Sequence, residues 1–452
     1  MAQQLINEGV YRLSAKGLYL TAALFGFHEC DRVVLTDKTR DLNQAWRLHH
    51  VEKNGWQLIN LAAEMYLSNR IGYQYDDEPF VISKVNYGGR NIFFLEEAES
   101  GYRLRTFQGN AFLGAAVKDK PLPRNEGAVF SFELIDDGHR EFPKMLRLHG
   151  DIEETGVPEM MKDGDYYYLV CDRRADSGDA RVGLKRGESI THWQDYDELM
   201  HLSSPRPFPW MEKIVPNCDI WCPSISRFGG KYHMYYSITI CCKNTSAMGH
   251  MTNVTLDKSS PAYCWRDEGT LMITGEKDDY NCIDAHILHT YDNEIWMVYG
   301  SSWSGIKTRR INEETGGLYD DQVYSLCYRE EIPHPAEGGY LFKRNGWYYL
   351  IAAVERTDQN YRCVVGRSRD VRGPYLDKNG VDMLKEGGTT IAEHKRGLSY
   401  PGHSSVFEEN GQYYLLMENS FERCATIELT ISTLTFENDW PQSAAGVDVL
   451  PC

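Results

Sequence analysis

Short runs of alternating apolar and polar residues, separated by tight turns, recur along the whole chain and predict an all-β protein. In the last two thirds, five segments share a turn followed by an aromatic strand. They are Lys162-Asp-Gly-Asp-Tyr-Tyr-Tyr-Leu169, Phe228-Gly-Gly-Lys-Tyr-His-Met-Tyr235, Asp292-Asn-Glu-Ile-Trp-Met-Val298, Arg344-Asn-Gly-Trp-Tyr-Tyr-Leu350 and Glu409-Asn-Gly-Gln-Tyr-Tyr-Leu415. Asp-Gly, Gly-Gly and Asn-Gly steps suit tight hairpins, because these residues tolerate positive φ. The turn markers Gly164, Gly230, Asn293, Gly346 and Gly411 are 66, 63, 53 and 65 residues apart. A period of about 60 residues, with several strands per unit, predicts a five-bladed β-propeller over residues 145–452. The innermost strands of such a fold converge on one axis. Acidic residues near the start of each blade are therefore candidates for a shared pocket.

The first third has a different repeat. Stretches opening at Gly9, Gly55 and Gly101 are spaced by 46 residues each. They close on Gln44-Ala-Trp-Arg-Leu48, Asn91-Ile-Phe-Phe-Leu95 and Phe130-Ser-Phe-Glu-Leu134, with Trp46, Phe93 and Phe132 as the matching core rings. Three units closing on a Gln-x-Trp-like signature resemble a ricin-type β-trefoil over residues 1–140. The resemblance implies a compact sugar-binding or interaction module. The two periods meet near residues 136–148, where Asp136-Asp-Gly-His139 reads as a turn-like break, and the two halves are expected to fold as separate domains.

Composition narrows the function classes. The chain of 452 residues carries a formal net charge of −17, which repels phosphate backbones and argues against nucleic acid as a partner. No apolar run is long enough to span a membrane. Aromatic residues reach 12%, with tyrosine dominant, a leaning towards sugar faces as well as towards strands. The twelve cysteines are scattered without a CxxC pair, so zinc ribbons and thioredoxin-type sites are not expected, and most read as buried thiols. The first residues lack a basic region and an apolar core, so no signal peptide is expected. That fits an intracellular protein or a chain that begins after a cleavage site. The sequons at Asn244 and Asn253 carry little weight in a chain of this length.

Over residues 148–441 the sequence resembles glycoside hydrolase family 43, and within it the arabinanases. The blocks are Asp219-Ile-Trp-Cys-Pro223, Asp279-Tyr-Asn-Cys-Ile-Asp284, Val298-Tyr-Gly-Ser-Ser-Trp-Ser-Gly-Ile306, Ala336-Glu-Gly-Gly-Tyr340, Val365-Gly-Arg-Ser-Arg369, Gly373-Pro-Tyr-Leu-Asp-Lys-Asn-Gly380 and Pro401-Gly-His-Ser-Ser-Val406. The resemblance implies an inverting glycosidase, with one carboxyl donating a proton to the leaving oxygen and another activating water. It assigns Glu337 as the acid and Asp284 as the carboxylate that holds up the acid's pKa. His403 falls at the central channel beside a bound ion or water cluster, with calcium or another hard ion expected and no organic cofactor. Trp303, Trp221 and Ser302 fall at substrate-contact positions, which implies an oligo- or polysaccharide partner.

The departures cluster at the expected pocket. The base normally lies in a His-Asp-Pro segment, and the matching stretch here is Gly156-Val157-Pro158. Val157 cannot accept a proton, so the base is missing from its usual position, and Glu159, with Glu153 and Glu154 nearby, is the candidate replacement. Trp-Ala-Pro-Asp becomes Trp221-Cys-Pro-Ser224, and prolines after Asp284 and Glu337 are also lost. Two readings follow: an arabinan-type hydrolase with a displaced base and atypical or weak activity, or a catalytically silent propeller that still grips sugar. A protein-interaction scaffold is the third and weaker one.

Overall fold

The computed structural model describes residues 6–450, apart from 23–31, 52–53, 70–79, 85–88, 108–110, 115–117, 121, 123, 126, 175–179, 202–206, 242, 331–335, 356–360, 395–397, 399–400, 421–426 and 448. Among the described residues the regular secondary structure is almost entirely β-strand, with one six-residue helix, Pro209–Ile214.

The propeller is five separate antiparallel sheets. Their inner strands are Gly156–Asp163, Asp219–Phe228, His286–His289, Glu337–Arg344 and Ser405–Glu409, which open blades 1 to 5. Each inner strand turns into the second strand at one of the five sequence markers, and Gly164, Gly230, Asn293, Gly346 and Gly411 all have φ between 59° and 81°. The turn chemistry thus sets the blade period. The ring is closed by the segment before blade 1. Residues 144–155 run beside the third strand of blade 5, Ile427–Glu437, through Leu146 N–H to the Ile431 carbonyl (2.8 Å), Leu429 N–H to Ile152 (2.9 Å) and Thr155 N–H to Ile427 (3.0 Å). The same segment adds His149–Gly150 to the outer strand of blade 1.

The first third forms one twelve-stranded sheet. Six strands pair in the order Gly9–Ala15, Trp46–Val51, Gly55–Asn60, Phe93–Ala98, Gly101–Thr106, then Ser131–Asp136, which returns to Gly9–Ala15. The step onto Ser131–Asp136 is carried by the Tyr102–Phe130 bridge. Three two-stranded extensions stand off this path: Leu18–Ala22 with Val33–Thr36, Met65–Asn69 with Phe80–Ser83, and Phe112–Leu113 with Arg124–Asn125. Gln44, fully buried, explains why only the first unit keeps its full signature. Its amide donates to Thr21, Thr36 and the Asp37 carbonyl and accepts from the Thr39 N–H, tying the first extension to the six-strand path. Trp46 and Phe93 are fully buried, as expected, but the third core ring is Phe130 rather than Phe132. Phe132 is only half-buried and packs edge-on against Tyr11 and Tyr102. A two-residue offset keeps a strand's face, so the pattern alone did not separate the two.

The two parts share a core. Val10, Leu42, Ala45, Leu61 and Ala62 from the first pack in one cluster with Phe142, Phe342, Tyr349, Met417 and Leu450. Arg40 Nε donates to the Leu450 carbonyl (2.7 Å), and Leu450 N–H returns to Arg40 (2.9 Å). Six of the eight described cysteines are buried. Both sequon asparagines are buried, with Asn244 donating to the Asp278 carbonyl and Asn253 accepting backbone N–H groups.

Candidate active site

Each blade opens with one residue in the left-handed region: Val157 (φ 45°), Cys222 (50°), Asp284 (60°), Gly338 (57°) and His403 (42°). In blades 1, 2 and 4 the ladder register shifts at this point, so the backbone bulges and turns its first residues towards the axis. The N–H groups freed by the bulge are capped across the seams between blades. Val157 N–H donates to Glu418 Oε2 (3.3 Å), Cys222 N–H to Asp172 Oδ2 (3.4 Å), Asp284 N–H to Ser237 Oγ (3.1 Å) and Gly338 N–H to Asp284 Oδ2 (3.2 Å). A β-branched residue at φ 45° is strained, so Val157 is held there by its surroundings.

These five positions line an axial cavity of ≈ 320 Å³ including its open mouth. Asp284 is buried, and burial raises its pKa; the Glu337 charge adds to the rise, while His403 opposes it. Glu337 sits beside the cavity, with its carboxylate accepting from Ser301 Oγ (3.0 Å) and lying 3.7 Å from His403 Nε2. Burial disfavours charge on His403, but the Asp284, Glu337 and Glu418 carboxylates outweigh it and push the pKa up to about 10. The imidazole is therefore a cation at neutral pH, placed between carboxylates.

Asp284, His403 and Val157 line the axial cavity, and Glu337 lies beside them. Ser302 and Trp303 follow Ser301 on a tight turn, with φ of 58° and 42°, and Trp303 is 40% exposed. Ser302 N–H donates to the Ala336 carbonyl, which anchors the turn next to Glu337. Trp221, half-buried, precedes Cys222 on the inner strand of blade 2. Glu159 lies two residues along the strand from Val157 and lines the same cavity, paired there with His286: its carboxylate is 3.1 Å from His286 Nδ1, whose Nε2 faces the Leu341 carbonyl at 2.9 Å. Glu153 is exposed on the closing segment, with Glu154 beside it. Two carboxylates at the seams, Asp172 and Glu418, were not found from sequence. Both sit on second strands opposite a blade opening, in no recognisable motif.

Cys222, Asp284 and His403 each offer one donor atom within 4.8 Å of the others. Asp284 Oδ1 and His403 Nδ1 have no hydrogen-bond partner among the described residues. A thiol, one carboxylate and one imidazole do not match calcium, which takes six to eight oxygens. The expected hard ion is therefore not fitted by these side chains.

Residues 154–441 match glycosyl hydrolases family 43. The chain is 29% identical over 309 residues to the extracellular exo-α-(1→5)-L-arabinofuranosidase of Cellvibrio japonicus, covering 63% of this chain and 85% of that protein. It is 28% identical over 292 residues to extracellular endo-α-(1→5)-L-arabinanase 1 of Bacillus subtilis, covering 63% and 86%. Among solved structures, an exo-1,5-α-L-arabinanase from a bovine ruminal metagenomic library superposes with a TM-score of 0.59 at 28% identity, covering 66% of this chain and 99% of that one. The Cellvibrio cellulosa α-L-arabinanase complexed with arabinohexaose gives 0.59 at 27%, covering 65% and 96%.

Proposed function

The chain belongs to glycosyl hydrolases family 43, and from that premise we propose that it is an inverting glycosidase acting on α-1,5-linked arabinan or a related furanosidic glycan. The observation that carries this reading is Glu337 between Ser301 and the cationic His403, next to buried Asp284, with the exposed Trp303 two residues beyond Ser301.

Glu337 delivers its proton to the leaving oxygen, the general-acid half of inverting hydrolysis. The Ser301 hydroxyl and His403 fix the direction of its carboxyl. Asp284 grips the Gly338 amide, so the turn that presents Glu337 cannot drift. Trp303 offers a flat apolar face to a sugar ring, and Trp221 and Ser302 flank the same region. The base does not come from position 157. No step runs through an axial ion.

Val157 supports a second reading, a catalytically silent propeller that binds sugar. Incubation with linear arabino-oligosaccharides, with product detection and parallel calorimetry, separates the two. Release of shorter products that stops in Glu337→Gln supports the enzyme; heat of binding without products supports the silent module.

We also read the first domain, residues 1–140, as a β-trefoil joined to the propeller domain at 145–452. The 46-residue repeat, the cyclic order of six strands and the three two-stranded extensions support it.

A further inference from the structure

We infer that Glu418 supplies the general base that position 157 lacks. The inference rests on the glycosidase reading above. Glu418 lies on the second strand of blade 5, Gln412–Ser420, two residues beyond Leu416, the partner of Ser405. Its Oε2 is 3.3 Å from the Val157 nitrogen. A carboxylate is thus brought to the backbone of position 157 from a neighbouring blade, on a longer side chain.

The surroundings are shaped for this. Gly402 packs closely here: a Cβ there would stand 2.7 Å from the Tyr361 ring and 3.2 Å from Glu418 Oε1. Asp172 and Ser237 cap the equivalent amides of blades 2 and 3 and are buried, as purely structural acceptors are. Glu418 makes the same contact yet is partly exposed, and so is Val157, so a water can reach both. Glu418 and Glu337 act on the same imidazole, which puts them around one centre. Glu159, the other candidate, is occupied by His286.

In the step, a water oriented by Glu418 bonds to the anomeric carbon as the glycosidic C–O bond breaks. The water's proton passes to Glu418, and the Glu337 proton passes to the leaving oxygen. One water is consumed, and no oxidant or reductant is needed.

The test uses an aryl α-L-arabinofuranoside and the full chain. Glu418→Gln keeps an oxygen for the Val157 amide, so the fold and melting temperature should hold, while kcat falls by about 10²–10⁴-fold with little change in KM. Azide should accelerate Glu418→Ala and yield the β-glycosyl azide, because a small anion replaces the activated water. Val157→Asp should restore turnover in the Glu418→Gln background. Unchanged kcat in Glu418→Gln, no azide product, or the azide signature in Glu159→Ala instead would each overturn the inference. Absence of hydrolysis by the unmodified protein would overturn the functional reading itself, and a catalytic Glu418 with it.

Discussion

Asp284 holds the turn that presents the acid: its Oδ2 accepts the Gly338 amide at 3.2 Å, and Gly338 follows Glu337 directly. The buried carboxylate and the acid therefore move as one unit. Gly338 has φ 57°, and a Cβ there would lie 2.9 Å from His403 Nδ1. Gly338→Ala should cost about 1–2 kcal/mol of stability from left-handed strain and displace His403 from Glu337. The expected result is a large fall in kcat with a smaller fall in melting temperature, measured side by side.

Trp303 stands on its turn with 40% of its surface exposed. Trp303→Ala should leave the melting temperature within a degree or two. It should raise KM for arabino-oligosaccharides roughly ten-fold, equivalent to about 1.4 kcal/mol. An unchanged KM would remove the ring from the binding surface.

Stability should fall on both sides of about pH 6.5. His403 is raised to about 10 in the fold, chiefly by carboxylates working against burial. Its contribution is full below the unfolded value of 6.5 and is lost as pH rises towards 10. His233 and His250, buried and stacked on one another, are lowered to about 4 by burial. Their contribution is full above 6.5 and is lost as pH falls towards 4. Thermal melts from pH 4 to 10 should show both limbs, with His403→Gln flattening only the alkaline one.

Calcium should matter little. The donors at the axis are a thiol, an imidazole and one carboxylate. Chelation with EGTA, followed by added calcium, should leave both melting temperature and turnover unchanged; restoration of either by calcium would contradict the donor-set argument.

Much of this architecture was legible along the chain. Five turn residues with positive φ marked five blades because a tight hairpin demands that conformation locally. Glu337, Asp284 and His403 were legible because each lies in a short block at a blade opening. Glu418 and Asp172 were not, because the site takes them from second strands through contacts across the seams, and nothing in their own neighbourhood signals it. The swap of Phe130 for Phe132 has a similar origin: two residues on the same strand face look alike until a bridge to Tyr102 selects one. The closure of the ring by residues 144–155 also depends on pairing with a strand nearly 300 residues away, which periodicity cannot reveal.

The most direct measurement is the anomeric form of the first product, followed by proton NMR during hydrolysis of an α-1,5-linked arabino-oligosaccharide. An inverting centre built on Glu337 predicts that the β anomer appears first and then equilibrates, with no product from Glu337→Gln. Initial release of the α anomer, or no release from the unmodified protein, would contradict the account.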